Sequence, residues 1–250
     1  MLTNEQIATV APSVFAAERH NSRSERYAYI PTITIVEDMR ANGFGVSYAG
    51  QSRAKGSNRS FTKHMLRFRE IGASPSLVGE VFPEIVLTNS HDGSSSYEVS
   101  AGMFRLACSN GLVIQQSNLD SFRVRHSGDI RSQVMEATAN VRIKLPELLG
   151  AVERLRAVKL DTVRELAFAD QALQLKYGPD YLARHINPKR ALTVRRYADT
   201  GKDLWSVMNR VQENLVRGGV RGIRPLKAID GQTDLNKGLW ALAESFAVAA

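Results

Sequence analysis

Two kinds of hydrophobic pattern divide the chain. In the first half, apolar and polar residues alternate in short runs, which is typical of strands with one buried face. The runs are Val46 to Arg53, Ser60 to Arg69, Glu84 to Thr88, Ser96 to Ala107 and Phe122 to His126. Turn residues separate them at 55–58 and again at His91-Asp92-Gly93, where an Asp-Gly pair suits a tight turn. The first half therefore predicts an antiparallel sheet.

The second half changes to steps of three and four. An apolar stripe from Ile130 to Leu155 predicts a long helix, and Pro146 inside it predicts a kink or a break into two helices. Asp161 can cap another helix that ends at Tyr177-Gly178-Pro179. Further helices are predicted from Thr32 to Asn42, from about Asp203 to Val216, and from Leu235 to Phe246.

This order of elements predicts an α+β fold. We expect an N-terminal antiparallel β-sheet backed by a long helix, followed by a helical C-terminal region. Residues 1–26 are polar and lack a sustained period, so they are predicted to form a flexible arm. Residues 27–177, with a strand candidate at Tyr27–Ile30, form the predicted core, and residues 178–250 form the helical region packed on it.

The composition indicates a type of binding partner and excludes several classes of protein and site. The chain carries 33 Lys and Arg against 25 Asp and Glu, a formal net charge of +8, which indicates an anionic partner, most commonly nucleic acid. The alternative is that the charge serves solubility only. A hydrophobic content of 43% excludes wholesale disorder. The single cysteine, Cys108, excludes an intramolecular disulfide and a cysteine-rich zinc site. No stretch is apolar enough for a bilayer and no secretory signal is visible, so we expect a cytoplasmic protein.

Basic residues on the strands provide the first candidate site. Lys63, Arg67 and Arg69 alternate onto one face of the second strand, while His64 and Leu66 share the other face. The full predicted nucleic-acid surface comprises Arg53, Lys55, Arg59, Lys63, Arg67, Arg69, Arg123 and Arg125. These cations could follow a phosphate backbone, and the stacking candidates are Tyr48, Phe61 and Tyr97. The alternative is a solvated strand face whose charges protect a sheet edge.

The polar turn Asn89-Ser90-His91-Asp92-Gly93 is the second candidate. Its side chains could brace the turn, with Asp92 and Ser90 bonding to turn amides and His91 packing or facing solvent. Alternatively His91, Asp92 and Glu98 could form a metal-dependent hydrolytic centre. The remaining histidines lack ligand-like spacing, and neither a nucleophile elbow nor a P-loop is present. The bracing role is favoured, so no catalytic residue, metal or cofactor is predicted.

A helix with unusually many polar residues is the third feature. Asn209 and Glu213 share one face of the segment from Trp205 to Gly219, which also contains Gln212 and Asn214. These side chains could bind a partner helix or fix a loop through side-chain-to-backbone hydrogen bonds. The second interpretation is favoured.

Several of these segments together resemble a known family. The run Asn89 to Ser94, followed by Phe104 to Leu112, resembles the phage/plasmid-like proteins grouped as domain of unknown function 932. The C-terminal matches are Leu204-Trp205, Asn209, Gln212-Glu213-Asn214, Arg217-Gly218-Gly219, Leu235-Asn236 and Leu239-Trp240. The resemblance covers the chain from about Tyr27 onward. Family members typically have Asn-Thr-Leu where this chain has Asn110-Gly111-Leu112, and the motifs are specific for the family but not for an activity.

The resemblance implies a mobile-element context, since such proteins are carried by phages, plasmids and integrated elements. That context implies DNA maintenance, recombination or counter-defence. The order of elements is also similar to that of Rad-type single-strand annealing proteins. We therefore expect a homo-oligomeric DNA-binding protein that binds and anneals single strands without a cofactor. The alternatives are a metal-dependent hydrolase or nuclease using the His91-Asp92 turn, and a protein-binding counter-defence factor.

Overall fold

A computed structural model describes residues 1–18, 28–53, 59–73, 81–105, 112–113 and 121–249. Within these residues the strands are β1 (Phe44–Gln51), β2 (His64–Glu70), β3 (Val81–Asn89), β4 (Tyr97–Arg105), β5 (Leu112–Val113) and β6 (Phe122–Val124). The α-helices are α1 (Asn4–Val10), α2 (Thr32–Ala41), α3 (Ile130–Ala157), α4 (Thr162–Tyr177), α5 (Leu204–Arg217) and α6 (Ile229–Val248). Short 3-10 turns lie at Pro12–Phe15, Pro179–Arg184, Pro188–Arg190 and Tyr197–Asp199.

The strands form one antiparallel sheet in the order β1-β2-β3-β4. Both short strands pair with β4, β5 at Gly102 and Met103 and β6 at Tyr97 to Val99. Helices α3 to α6 follow the sheet in the chain, and only α1 and α2 of the described α-helices precede it, so the predicted α+β class is confirmed. Alternation along β2 is also as predicted, since His64, Leu66 and Phe68 are fully buried on one face.

The long helix α3 packs against β3 and β4 and backs the sheet, as predicted. It continues without a break through Pro146, so a division into two helices was the wrong alternative. A proline removes one backbone hydrogen bond from a helix. Val141 and Leu148 are both buried on either side of it, and this tertiary packing holds the two flanking turns in one helix.

The beginning of the chain is structured, contrary to the prediction of a flexible arm. Thr3 caps α1 in a capping box with Gln6. Ile7 and Val14 are fully buried in the main core, and the Leu2 amide donates to the Val46 carbonyl at 2.7 Å. A seven-residue helix is too short to show a helical period in sequence, which is why it was missed. Residues 28–30 form no strand, also contrary to the prediction.

The C-terminal helices surround α5. Every residue of α5 from Leu204 to Val216 is buried. Helices α4 and α6 pack against α5 and against each other, with the rings of Phe168 and Phe246 meeting edge to face at 5.3 Å. Asp161 caps α4 by accepting from the Arg164 amide, and Gly178 ends the helix with φ +84°, as predicted. None of the helices in the described part of the chain is long and apolar enough to cross a membrane.

Candidate nucleic-acid interface

Two arginines of the predicted cationic strand are paired inside the fold. Arg67 Nε lies 3.2 Å from Glu84 Oε2, and Arg69 Nη2 lies 2.6 Å from Glu84 Oε1. The carboxylate of Glu84 is fully buried, and the Arg67 and Arg69 side chains are only 9% and 16% exposed. Arg67 also stacks on the Tyr48 ring and Arg69 on the Phe82 ring. The prediction that these arginines present a solvent-facing cationic surface is therefore wrong.

Strand register explains this pairing. Arg67 lies opposite Val86 on β3, only two residues from Glu84. Because residues two apart share one face of a strand, the Glu84 carboxylate reaches both arginines across the ladder. Burying a guanidinium without such a partner is costly. The two charges are therefore part of the sheet's own structure.

The other predicted surface residues have mixed surroundings. Lys63 Nζ pairs with Asp230 Oδ1 on α6 at 2.6 Å, and Arg123 Nε lies 4.0 Å from Glu98 Oε2. The remaining described cations, which are exposed and make no ion pair to another described residue, are Arg53, Arg59 and Arg125. Lys55 lies outside the described residues. The structure therefore does not bring the seven described cations of the predicted eight together as one open surface.

The polar turn after β3 has the predicted bracing role. Asp92 Oδ1 accepts from the Ser94 amide at 2.8 Å, Ser90 Oγ accepts from the Ser95 amide at 2.9 Å, and Gly93 has φ +76°. Partial burial, the largest single influence, raises the pKa of Asp92. The hydrogen bonds of the turn together outweigh it, so the pKa of Asp92 lies below its ordinary value. Asn89, Ser90 and His91 are fully buried.

His91 belongs to a buried polar cluster centred on Thr32, at the start of α2. The Thr32 hydroxyl lies 2.9 Å from His64 Nε2, 3.2 Å from His91 Nε2 and 3.4 Å from the Tyr97 hydroxyl, and it accepts from Asn89 Nδ2 at 3.3 Å. His64 Nδ1 in turn lies 2.9 Å from the hydroxyl of Ser13, in the N-terminal segment. We call this set the Thr32 cluster. It joins the N-terminal segment, α2, β2, β3 and β4.

Burial keeps both histidines neutral near neutral pH. It lowers the pKa of His64 to about 4. It also lowers the pKa of His91 to about 3, with repulsion from His64 and His126 as smaller contributions. A neutral imidazole donates from one nitrogen and accepts at the other, so it fits a network of hydroxyl and amide groups. The Thr32 cluster is thus a neutral structural junction.

A hydrolytic centre receives no geometric support. Glu98, its third proposed member, pairs with Lys237 on α6 at 3.1 Å, while Asp92 bonds to its own turn. Across the ranges that the structure describes, no group of three or more His, Cys, Asp or Glu side chains is placed to hold a metal ion.

A basic surface that we did not predict lies in the C-terminal region. Residues 184–227 contain eleven Lys and Arg against three Asp and Glu, a net charge of +8 that equals the formal charge of the whole chain. Within them, residues 184–196 and 217–227 contain no Asp or Glu; we call these two stretches the basic loop pair. Its cations are Arg184, Lys189, Arg190, Arg195, Arg196, Arg217, Arg221, Arg224 and Lys227.

Hydrogen bonds join the two loops directly. Arg190 Nη1 donates to the Arg221 carbonyl at 2.9 Å. Arg195 Nη2 donates to the Gly218 carbonyl, and Arg195 Nε donates to Asn214 Oδ1 at 2.7 Å. The basic loop pair is therefore one surface in space as well as two stretches in sequence.

Buried α5 fixes the first loop to the fold. Asn214 Nδ2 donates to the carbonyls of Ala191 at 2.9 Å and Thr193 at 2.8 Å. Asn214 thus has the loop-fixing role that was predicted for Asn209 and Glu213. Asn209 Nδ2 instead donates to the Trp205 carbonyl of its own helix at 2.7 Å, and Glu213 pairs with the side chains of Arg196 and Arg217. Lys176 fixes the second loop, because its Nζ donates to the Leu215 and Arg224 carbonyls at 2.5 Å each. Burial lowers the pKa of Lys176 to about 8.

Most cations of the basic loop pair remain available to a ligand. The buried carboxylate of Glu213 pairs with Arg196 at 2.5 Å and with Arg217 at 3.0 Å. Five further cations are exposed and form no ion pair with any other residue that the structure describes: Arg184, Lys189, Arg221, Arg224 and Lys227. Their positive field is therefore directed to solvent.

Comparisons with known proteins settle the family. The model for a domain of unknown function, DUF932, matches residues 19–240. The chain belongs to this family. It is 40% identical to the UPF0380 protein YfjQ and 39% identical to the UPF0380 protein YafZ, both of Escherichia coli K12. Each alignment covers 98% of this chain and 91% of the relative. No solved structure matches the chain.

The predicted resemblance to this family is thereby confirmed, while the family's description names no activity. The basic loop pair of this DUF932 protein was missed because charge was counted over the whole chain. A count by segment would have found it, since all the excess positive charge lies in 184–227. The motif positions Cys108, Asn110 and Gly111 lie outside the described residues.

Proposed function

We propose that this DUF932 protein binds nucleic acid, with single-stranded DNA as the favoured partner, through the basic loop pair. The observation that carries the proposal is the concentration of the chain's whole excess of positive charge in residues 184–227, on a surface with five exposed, unshared cations. A polyanion gains affinity from such a surface by releasing its condensed counterions. The role first predicted for Arg67 and Arg69 is not retained.

The loop backbone adds a second means of contacting phosphate. Gly219 is exposed and has φ +80°. A Cβ atom at this position would lie 3.4 Å from Arg195 Nη2, so the bare glycine leaves a guanidinium and the backbone close together. A phosphate oxygen could approach both groups there, because a charged donor and a main-chain amide are common phosphate ligands. The interaction needs no cofactor.

The proposal extends to annealing: the protein would pair complementary single strands during DNA recombination on a mobile element. A homo-oligomer would repeat one modest site along a strand and raise the total affinity. Two strands neutralised on neighbouring copies would then meet with less repulsion. An annealing assay with complementary oligonucleotides tests this extension separately from binding.

Fluorescence anisotropy with a labelled 20-nucleotide oligo(dT) and a matching duplex, at several salt concentrations, tests the binding proposal. The informative variant replaces Lys189, Arg221 and Arg224 together by Ala. We expect the slope of log affinity against log salt to fall by about 2 for single strands, because three phosphate contacts are removed. At about 0.1 M salt, affinity should fall at least about tenfold.

A matched variant separates local contacts from net charge. Replacing Arg53, Arg59 and Arg125 by Ala also removes three exposed cations, but from the sheet side of the molecule. We expect this variant to keep the wild-type salt slope within about half a unit. A loss confined to this second variant would move the site to the sheet, and absence of binding by the wild-type chain would overturn the proposal.

A further inference from the structure

Tyr197 is the most exposed large side chain beside the basic loop pair. It begins the 3-10 turn Tyr197–Asp199, directly after Arg196, and is 92% exposed. Val194, three residues earlier, is 43% exposed. An aromatic ring in water on a cationic surface offers a large flat contact area to a ligand.

The backbone that presents Tyr197 is held in place. Its carbonyl accepts from the Thr200 amide at 3.2 Å and from the Thr200 hydroxyl at 2.8 Å. The Asp199 amide donates to the Arg196 carbonyl at 3.0 Å. Arg196 itself is paired with Glu213 of the buried α5. The ring is therefore exposed from a fixed turn, which reduces the entropy lost on binding.

The charges around Tyr197 favour a ring-bearing anion. Arg195 and Arg196 precede it, and the nearest acidic residue in sequence, Asp199, is buried. A peptide partner with apolar side chains would not need these cations. A nucleic-acid strand supplies both matching components, a phosphate for the guanidinium groups and a base for the ring.

We propose that Tyr197 stacks on an unpaired base of a strand whose phosphates lie on the basic loop pair. This inference rests on the proposed function and specifies its substrate class, because duplex bases stack on one another and leave no face for a side chain. In this proposal the Tyr197 ring provides the preference for single-stranded over duplex nucleic acid, and the surrounding cations provide most of the affinity.

Binding to two strands of the same length separates these contributions. One probe is a 20-nucleotide oligo(dT); the other is an abasic strand that has the same phosphates and no bases. We expect the wild-type chain to bind oligo(dT) about tenfold more tightly than the abasic strand. Tyr197→Ala should abolish this preference, leaving abasic-strand affinity and the salt slope unchanged, while Tyr197→Trp should retain it.

Leu182→Ala is the matched control, since Leu182 is another exposed apolar side chain, two residues before Arg184. It should keep the full preference for oligo(dT). Equal binding of the two strands by the wild-type chain would overturn stacking but leave the proposed function standing. An equal loss on both strands in Tyr197→Ala would also overturn stacking, since the ring would then act by shaping the loop. No binding of either strand would overturn both proposals.

Discussion

The sheet and the basic loop pair use the same residue type in opposite ways. On the sheet, Arg67 and Arg69 share the buried carboxylate of Glu84 and face aromatic rings. On the loops, Arg221 and Arg224 are exposed and no acid occurs in either stretch. An arginine therefore contributes to a binding surface according to the carboxylates within its reach, and the number of arginines alone does not predict that.

The Thr32 cluster extends the comparison to histidine. The N-terminal half limits charge in its interior in two ways, by pairing Arg67 and Arg69 with the Glu84 carboxylate and by keeping His64 and His91 unprotonated. The C-terminal region also pairs its buried charges, as with Arg210 and Glu165 at 3.1 Å, but keeps a large excess outside. The buried charges of both halves thus maintain the fold, whereas the excess positive charge on the surface of the second half is available to a partner.

Acidification should produce the largest effect on the N-terminal half. The folded pKa values of His64 and His91, about 4 and about 3, lie below the ordinary value of 6.5. Their contribution to stability is thus complete above pH 6.5 and is lost as pH falls toward 4 and 3, because the unfolded chain binds these protons first. Urea unfolding should show a loss on the order of 5 kcal/mol between pH 7 and 4.5.

The slope of the unfolding free energy against pH separates the contribution of the histidines from that of the carboxylates. His91→Gln should reduce that slope by about 1.4 kcal/mol per pH unit between pH 6 and 4.5, whatever it costs at pH 7. His185→Gln is the control, because His185 is exposed, and it should leave the slope unchanged. An unchanged slope in His91→Gln would mean that His91 is protonated in the folded protein.

Removing the carboxylate between the sheet arginines should have the next largest effect. Glu84→Gln leaves two largely buried guanidinium groups without a counter-charge, so we expect a loss of about 3 kcal/mol in urea unfolding. Glu70→Gln removes one exposed partner of Arg142, which lies 2.6 Å away, and should cost less than about 1 kcal/mol. Similar losses in the two variants would contradict the distinction between interior and surface pairs.

The smallest effect is expected at the polar turn. Asp92→Ala removes the acceptor of the Ser94 amide and should cost about 1 kcal/mol, measured by urea unfolding at pH 7. Because Asp92 bonds within its own turn and is not part of the basic loop pair, affinity for oligo(dT) should not change. A loss of affinity without a loss of stability would place the turn in the binding site.

Local signals in the sequence predicted the fold well. Asp161, Gly178 and the Asp92-Gly93 pair act locally, through hydrogen bonds to residues two to four positions away. The strands and α3 were visible because a periodic apolar face extends over many residues. The segment 1–18 has no periodic apolar face of that length, although its Ile7 and Val14 side chains are fully buried in the core.

The candidate sites depended on contacts that sequence spacing does not show. Ser13 meets His64 across 51 positions, and Glu84 reaches Arg67 and Arg69 only through the β2–β3 register. The basic loop pair is the exception, because its lack of acidic residues is local and could have been counted. Even there, only the structure shows that Arg190 and Arg221 bring the two loops together.

The burial of α5 from Leu204 to Val216 has a dynamic consequence. All thirteen residues of this stretch are buried, so their backbone amides should exchange with deuterium only when the whole molecule opens. The loops tied to Asn214 would then be protected from local fraying by the slowest-opening segment of the chain. On the timescale of ligand encounter, the side chains of the basic loop pair would then change rotamer while the main chain beneath them stays rigid.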